Sequence, residues 1–422
     1  MNTIQKVIVI GGGPAGLAAA LRLQQNNHVS CAVYETRHEP TTLGGAIGIP
    51  SNGLRLLNRL GLYENIAARG ANTSNIVMHS LKGSVMGSMD ITSWSQKQTG
   101  FGYLRVRRTD IMDVLLEAAR SAAIPIHYSK QVAGIGEDDN HITVSFSDGT
   151  SATADFVLGC DGIHSAVRKI YVDPDCKPTY SGISNIYSLI STSKLKPAAS
   201  SLSDLNATLT SDGLLAVSPA TPASDLLYWF FSREIAIPTT GDTRDGWEER
   251  GKKEVDSLKA ILYELLGDSE SEWTGMLRDM IHQTDAMRFY PIYKVPTGRP
   301  WYKGRCLIIG DAAHAMPPHA SQGVSMALED VFLFSKLLDT GHSSIQEALK
   351  AYEQKRKART EQMLKTAEQN GGVRKKATPW GLWAKEIAIM GGLWALKATG
   401  LEKLGMGQKP LVYNIEEEEF KF

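Results

Sequence analysis

The chain has 422 residues, 42% of them apolar and 21% charged, which suits two or three packed domains of an ordinary globular protein. Lys plus Arg number 45 and Asp plus Glu number 45, so no net charge draws it to nucleic acid or to an anionic membrane. Four cysteines, Cys31, Cys160, Cys176 and Cys306, lack C-x-x-C spacing and read as reduced, buried side chains of a reducing, cytoplasmic compartment.

Residues 6–10 (KVIVI) form a continuous β-branched run, the pattern of a strand buried on both faces. So early a strand leaves no room for a secretory leader. Gly11, Gly13 and Gly16 follow in G-x-G-x-x-G spacing, then a helix over 17–25 and a strand over 31–35, which makes a βαβ unit. A turn this tight needs glycine, and a pyrophosphate held at a helix N-terminus needs close approach to the backbone. Glu35 closes the second strand, where an acidic side chain can bind both hydroxyls of a ribose.

A short helix is predicted over 52–60, strand-like stretches over 74–101, and an amphipathic helix over 109–122 with Thr109 as its N-cap. Arg105, Arg107 and Arg108 precede that helix, either as a solvated patch or with one guanidinium on a phosphate. Strands at 141–146 and 155–159 flank a Ser-Asp-Gly turn, and the second runs into Asp161-Gly162, where an α/β sheet presents side chains to a ligand. Alternating runs over 182–232 predict an antiparallel sheet, with aromatic bulk at 226–231. A buried strand at 306–309 delivers Gly310-Asp311, Pro317 and Pro318 stiffen the next loop, and Gly323 opens a helix over 323–338. Asp311 can accept from a ribose or ribitol hydroxyl, while the N–H groups of Gly323 and Val324 can hold an anionic oxygen.

A charged helix over 344–370 begins with a capping box, Ser344 and Glu347. Beyond it, 378–400 holds Trp380, Trp383 and Trp394, and Gly391-Gly392 predicts a break into two short helices. Three readings compete: packing on the protein's own surface over a substrate opening, peripheral membrane contact, or a transmembrane span. The first is favoured, because basic residues are few and Lys385, Glu386 and Lys397 interrupt the apolar stretch. Glu416 to Glu419 read as a solvated acidic tail. The α/β pieces thus enclose the antiparallel piece: a dinucleotide-binding domain from 1–75, 102–175 and 295–370, an inserted domain from 76–101 and 176–294, and a C-terminal helical segment with the acidic tail over 371–422.

Taken together, the glycine fingerprint with Glu35, the arginines at 105–108, Asp161-Gly162 and the stretch 304–323 resemble group A flavoprotein monooxygenases, the family of p-hydroxybenzoate hydroxylase and salicylate hydroxylase, over about 6–370. The resemblance implies an α/β fold: a Rossmann-like FAD-binding domain built from discontinuous segments, an inserted antiparallel-sheet substrate domain and a C-terminal helical extension. It implies that Gly11, Gly13, Ala15, Gly16 and Glu35 hold the ADP half of FAD and that Gly48 joins the cofactor set. Arg108 would contact FAD phosphate and Asp161 both FAD and the nicotinamide cofactor. Asp311 would bind the ribitol, and Gly323 and Val324 would face the flavin pyrimidine. Only one dinucleotide fingerprint is present, so NADPH or NADH is expected to bind transiently. The implied reaction inserts one oxygen atom of O2 into an aromatic or large apolar small molecule, by hydroxylation or epoxidation through a flavin C4a-hydroperoxide, with no metal. Tyr187 stands where many relatives carry a substrate-binding arginine, which argues against a small carboxylate held there. Tyr187, Tyr228, Pro318 and His319 are the expected substrate-side residues, His314 and His319 each having a purely structural alternative. A flavin-dependent reductase of isoprenoid double bonds and a non-catalytic binding protein are the alternative readings.

Overall fold

The computed structural model describes residues 4–40, 44–195, 202–340 and 344–420. A six-stranded sheet runs in the order Tyr302–Lys303, Cys306–Ile308, Phe156–Gly159, Lys6–Ile10, Ser30–Tyr34 and Ile126–His127, parallel except at its first edge. Lys6–Ile10 lies between Phe156–Gly159 and Ser30–Tyr34, with Val7 opposite both Phe156 and Cys31. Its unbroken apolar run follows from this, since Val7, Ile8, Val9 and Ile10 are buried between helical layers. The Pro14–Asn27 helix starts with proline in its first turn and ends on His28, a left-handed residue whose N–H donates to the Leu23 carbonyl.

A second, seven-stranded sheet runs in the order Arg288–Lys294, Thr179–Ser191, Leu226–Glu234, Gly213–Pro219, Leu205–Thr210, Asn75–His79 and Val85–Asp90. Strand alternation sorts its side chains. Ile186, Leu215, Val217, Leu227, Trp229 and Phe231 face helices Arg244–Leu266 and Glu272–Gln283, packing on Leu258, Leu262 and Met280. Tyr187, Tyr228 and Phe230 take the opposite face. The aromatic run at 226–231 therefore divides between the two faces of the sheet, one half packed on the helices and the other on Ala46 and Ala220. Ala46–Ile49 pairs with Leu104–Arg107, in a small sheet next to that second half.

Helices Gly323–Leu338 and Ile345–Gly371 are joined by buried charge. The fully buried Arg356 donates to Glu329 (2.8 Å) and Asp330 (2.7 Å), and Arg359 donates to Glu329 and to the Pro410 carbonyl. Either carboxylate without its arginine would be a stranded buried charge, so these groups specify one docking of the two helices. Ser344 caps the second helix, its Oγ accepting from Glu347 N–H, as the capping-box spacing predicts.

Four expectations are corrected. Thr109 is no N-cap: the helix runs Arg108–Ser121, preceded by Arg107, because strand Leu104–Arg107 leads straight into it. The Ser-Asp-Gly turn joins Ile142–Phe146 to an additional strand, Ser151–Ala154. Gly391 and Gly392 do not break the C-terminal helix, which is continuous over Pro379–Ala398, because packing of its inner face outweighs glycine's low propensity. Nor is 416–419 a free tail. Glu416 pairs with Arg59 and Glu418 with Lys355, while Ile415 is buried.

The C-terminal helix lies on the protein itself. Leu382 and Ile389 pack against Met86, Ala207, Leu209, Leu214 and Ala216, on the same sheet face as Tyr228 and Phe230. Its other side leaves Trp380 (78%), Trp383 and Trp394 (74%) exposed. Among the described residues, no helix is long and apolar enough to cross a membrane.

Candidate active site

The glycine turn is built to leave space beside its backbone. Gly11 has φ +106°, and a Cβ there would meet the Cys160 carbonyl at 2.4 Å. A Cβ on Gly16 would strike the Gly11 carbonyl at 1.9 Å, whereas one on Gly13 would meet nothing within 4 Å. The first and third glycines thus permit the turn and the middle one faces open space, as a bound pyrophosphate demands. Glu35 accepts from Gly12 N–H at 2.7 Å and from Arg37 N–H at 2.9 Å. Gly12, Gly13, Pro14, Glu35, Arg108 and Tyr128 line a partly open cleft. These residues fit the adenosine and pyrophosphate of a dinucleotide.

The other motifs converge on the same turn. A Cβ on Gly310 would lie 3.5 Å from the Ala15 Cβ and 3.2 Å from that of Ala327, which brings strand Cys306–Ile308 and helix Gly323–Leu338 against the first helix. Asp311 is exposed at the start of the helix Asp311–His314, and the protein crowded around it raises its carboxyl pKa by desolvation against the opposing pull of His314 and Arg108. A Cβ on Gly323 would meet no neighbour within 4 Å, so the helix start there is open, and Val324 is partly buried beside it.

Asp161 behaves differently. Its carboxylate accepts from Ser165 Oγ (2.5 Å), Ala166 N–H (2.7 Å) and Val167 N–H (3.1 Å), holding its own loop instead of pointing at the glycine turn. Arg168, almost fully buried, donates to the carbonyls of Ala312 and Ile163 and so ties this loop to the Asp311 segment. The sequence singles out no role for it, since Arg168 stands beside Lys169 in the turn Arg168–Val172 and reads there as one of two ordinary surface cations.

A cluster of tyrosines packs beside the strand Ala46–Ile49. Tyr187 and Tyr228 have ring centroids 5.9 Å apart, as do Tyr187 and Tyr290. A Cβ on Gly45 would sit 2.5 Å from Tyr228 and 3.0 Å from Tyr187, so the strand carrying Gly48 runs against these rings. Gly48 is required in turn, since a Cβ there would fall 1.7 Å from the Tyr103 hydroxyl. Burial raises the pKa of Tyr187, Tyr228 and Tyr290, so all three are neutral phenols able to donate. Arg105, which sequence reasoning left undecided, is buried with its guanidinium 6.0 Å from the Tyr228 ring and donates to Tyr103.

The two histidines separate cleanly. His314 bonds Asp330 at 2.6 Å, and Asp330 also accepts from Gly310 N–H and Arg356, so His314 is structural. His319 follows Pro318 in the short turn Pro318–Ala320, and its Nε2 is buried without a partner. Burial, with Arg374 nearby, pulls its pKa down to about 3, so it is neutral. Pro318 itself is exposed.

The model of an FAD-binding domain family matches residues 5–367. The chain belongs to that family, and it is an FAD-dependent monooxygenase. Its relatives include 6-hydroxynicotinate 3-monooxygenase of Pseudomonas fluorescens, 26% identical over 90% of this chain and 94% of that protein. Hispidin-3-hydroxylase of Neonothopanus nambi is 28% identical over 84% of this chain and 86% of its own length. Among solved structures, Klebsiella pneumoniae HpxO complexed with FAD and uric acid matches with a TM-score of 0.80 at 22% identity, covering 98% of this chain and 99% of that one. The α/β fold with a second, antiparallel sheet is thus the fold of the family, and the flavin is FAD.

Proposed function

We propose that the aromatic wall of Tyr187, Tyr228 and Tyr290 is the substrate chamber of a single-component monooxygenase, with NADPH or NADH as transient reductant. The observation that carries this reading is the contact of Gly45 with Tyr187 and Tyr228, which sets the strand of the cofactor-side domain directly against the wall. Gly11, Gly13, Ala15 and Gly16 would hold the pyrophosphate, Glu35 the adenosine ribose and Arg108 a phosphate. Asp311 would take the ribitol, and Gly323 and Val324 the pyrimidine edge, with Gly48 beside the ring. Asp161 would act indirectly, by shaping its loop. When bound, the flavin supplies hydride uptake from the nicotinamide and transfer of one oxygen atom from O2.

The chain's own part is to exclude water and orient the ring. Three neutral phenols line the chamber, and a phenol can hydrogen-bond a substrate hydroxyl without imposing charge. Neutral His319, with its free Nε2, can exchange a hydrogen bond with substrate from the Pro318 side, which is a positioning and proton-holding role. The names of the relatives, a 6-hydroxynicotinate 3-monooxygenase and a hispidin-3-hydroxylase, support an aromatic substrate here. A cytoplasmic setting suits the four free, buried cysteines.

The test is a panel of hydroxylated aromatic compounds screened for stimulated NAD(P)H oxidation, with product masses measured. A mass gain of one oxygen atom is expected. Product formed anaerobically would point to a double-bond reductase, and no turnover with any compound despite bound FAD would point to a binding protein.

A further inference from the structure

The short turn Gly372–Arg374, beyond the span of the family match, docks on the chamber's sheet face. Lys376 N–H donates to Glu234, Ala377 N–H donates to the Ser211 carbonyl, and Val373 packs in the cluster that contains Phe230. These contacts carry Arg374 inward until only 8% of it is exposed. Its Nη1 donates to the Asn370 carbonyl at 2.5 Å, while its Nε has no partner. Among the described residues no carboxylate pairs with it. A guanidinium in this position has lost most of its water and received one carbonyl in return, a costly arrangement unless something anionic arrives.

Its surroundings show what could arrive. Arg374 lies within electrostatic reach of Tyr290 and His319. Tyr290 accepts from Asn185 Nδ2 at 3.0 Å, so its own O–H is free to donate. His319 Nε2 is unpartnered, and the Gly371 backbone approaches that ring while Asn370 Nδ2 donates to the His319 carbonyl at 3.1 Å. Asn185 Oδ1 is also unpartnered and is an acceptor, so it suits a neutral N–H or O–H of the same ligand. Three other cations approach the tyrosines. Arg108 and Arg288 are exposed, and Arg105 donates to Tyr103. Arg374 keeps its charge at neutral pH, burial lowering its pKa only to about 10.

Resting on the chamber assigned above, we propose that Arg374 anchors an anionic group of the substrate, a ring carboxylate or an acidic phenolate, through its free Nε–H with the Tyr290 hydroxyl as second donor. The arginine missing from the position of Tyr187 is thus replaced from a different segment of the chain, and the substrate class is an aromatic acid.

The experiment titrates the FAD-loaded enzyme with 2-naphthoate and with 2-naphthamide, of nearly equal shape but different charge, reading the flavin visible spectrum. Wild-type enzyme is expected to bind the acid about tenfold or more tightly than the amide, the scale of one charge-assisted pair. Arg374→Gln should bring the acid down to the level of the amide and leave the amide unchanged, while Arg374→Lys should restore part of the preference. Equal affinity for acid and amide in wild type overturns the proposal without any variant. So does a folded, yellow R374Q that keeps the preference, a preference lost only in Arg105→Gln, or displacement of the acid by chloride in both wild type and R374Q. An R374Q that fails to fold leaves R374K and the wild-type comparison to decide. Failure of the chamber itself looks different: neither probe would perturb the flavin, although FAD binds.

Discussion

At the scale of single residues, the site divides into groups that open space and groups that fill it. Arg108 lines the cleft, and among the described residues neither its guanidinium nor the Asp311 carboxylate has a hydrogen-bonded side-chain partner. Asp311→Ala and Arg108→Ala are each expected to weaken FAD binding by about 1–3 kcal/mol, measured by fluorescence titration of apoprotein; unchanged affinity in both would remove them from the cofactor set. His319 gives a pH signature. Its folded pKa is about 3, far below the ordinary 6.5, because burial and then Arg374 oppose its protonation. The unfolded chain therefore takes up a proton that the folded chain refuses, and the stability from neutral His319 is complete above about pH 6.5 and falls away toward pH 3. Urea unfolding at pH 7.5, 6.5 and 5.5 should show wild type losing more stability on acidification than His319→Gln; parallel losses would mean that His319 is solvated. The sequence made the glycines, Glu35 and Asp311 legible because each belongs to a spacing with a mechanical reason. Arg168 and Arg374 were not legible: their meaning comes from burial beside segments far away in the chain.

Elements follow the same division. Strand Lys6–Ile10 and helix Gly323–Leu338 were readable because apolar period and glycine start agree with tertiary packing. The C-terminal helix was misread at Gly391-Gly392, where a local signal met packing of Leu382 and Ile389 and lost. That outcome has a measurable residue. A Cβ at either glycine meets nothing within 4 Å, and both lie inside a regular helix. Gly391→Ala and Gly392→Ala should each stabilise the helix by about 0.5–1 kcal/mol, seen as slower amide hydrogen exchange over 379–398. A loss of protection would indicate that glycine is needed there for close approach. On the outer side the exposed Trp380 and Trp383 meet only edge to face with each other, ring centroids 5.8 Å apart, whereas the inner side packs in the cluster that contains Phe230.

For the whole molecule, the cleft is lined by segments as far apart in the chain as Gly12 and Tyr128, so FAD is expected to act as a clamp. Anything that binds only the folded state stabilises it by mass action, about 2.7 kcal/mol at a hundredfold excess over Kd. FAD should raise the melting temperature of apoprotein, and FMN, which lacks the adenosine that Glu35 would grip, should raise it far less. Equal shifts would remove Glu35 and the glycine cleft from cofactor recognition. The alternation of α/β and antiparallel segments predicted an inserted sheet. It did not show which face of that sheet would be left to the tyrosines, since that depends on where helices Arg244–Leu266 and Glu272–Gln283 dock.

The sheet order has a consequence for how the chain is made. Lys6–Ile10 pairs with Phe156–Gly159, which pairs in turn with Cys306–Ile308. At a synthesis rate of about 5–20 residues per second, the first strand waits on the order of ten seconds for its neighbour to be translated, and the second waits as long again. Throughout that interval the side of KVIVI turned away from Ser30–Tyr34 is an unpaired apolar edge open to other nascent chains. Yield in a cell should then depend on whether a holdase such as a ribosome-associated chaperone shelters that edge, and much less on the stability of the finished enzyme.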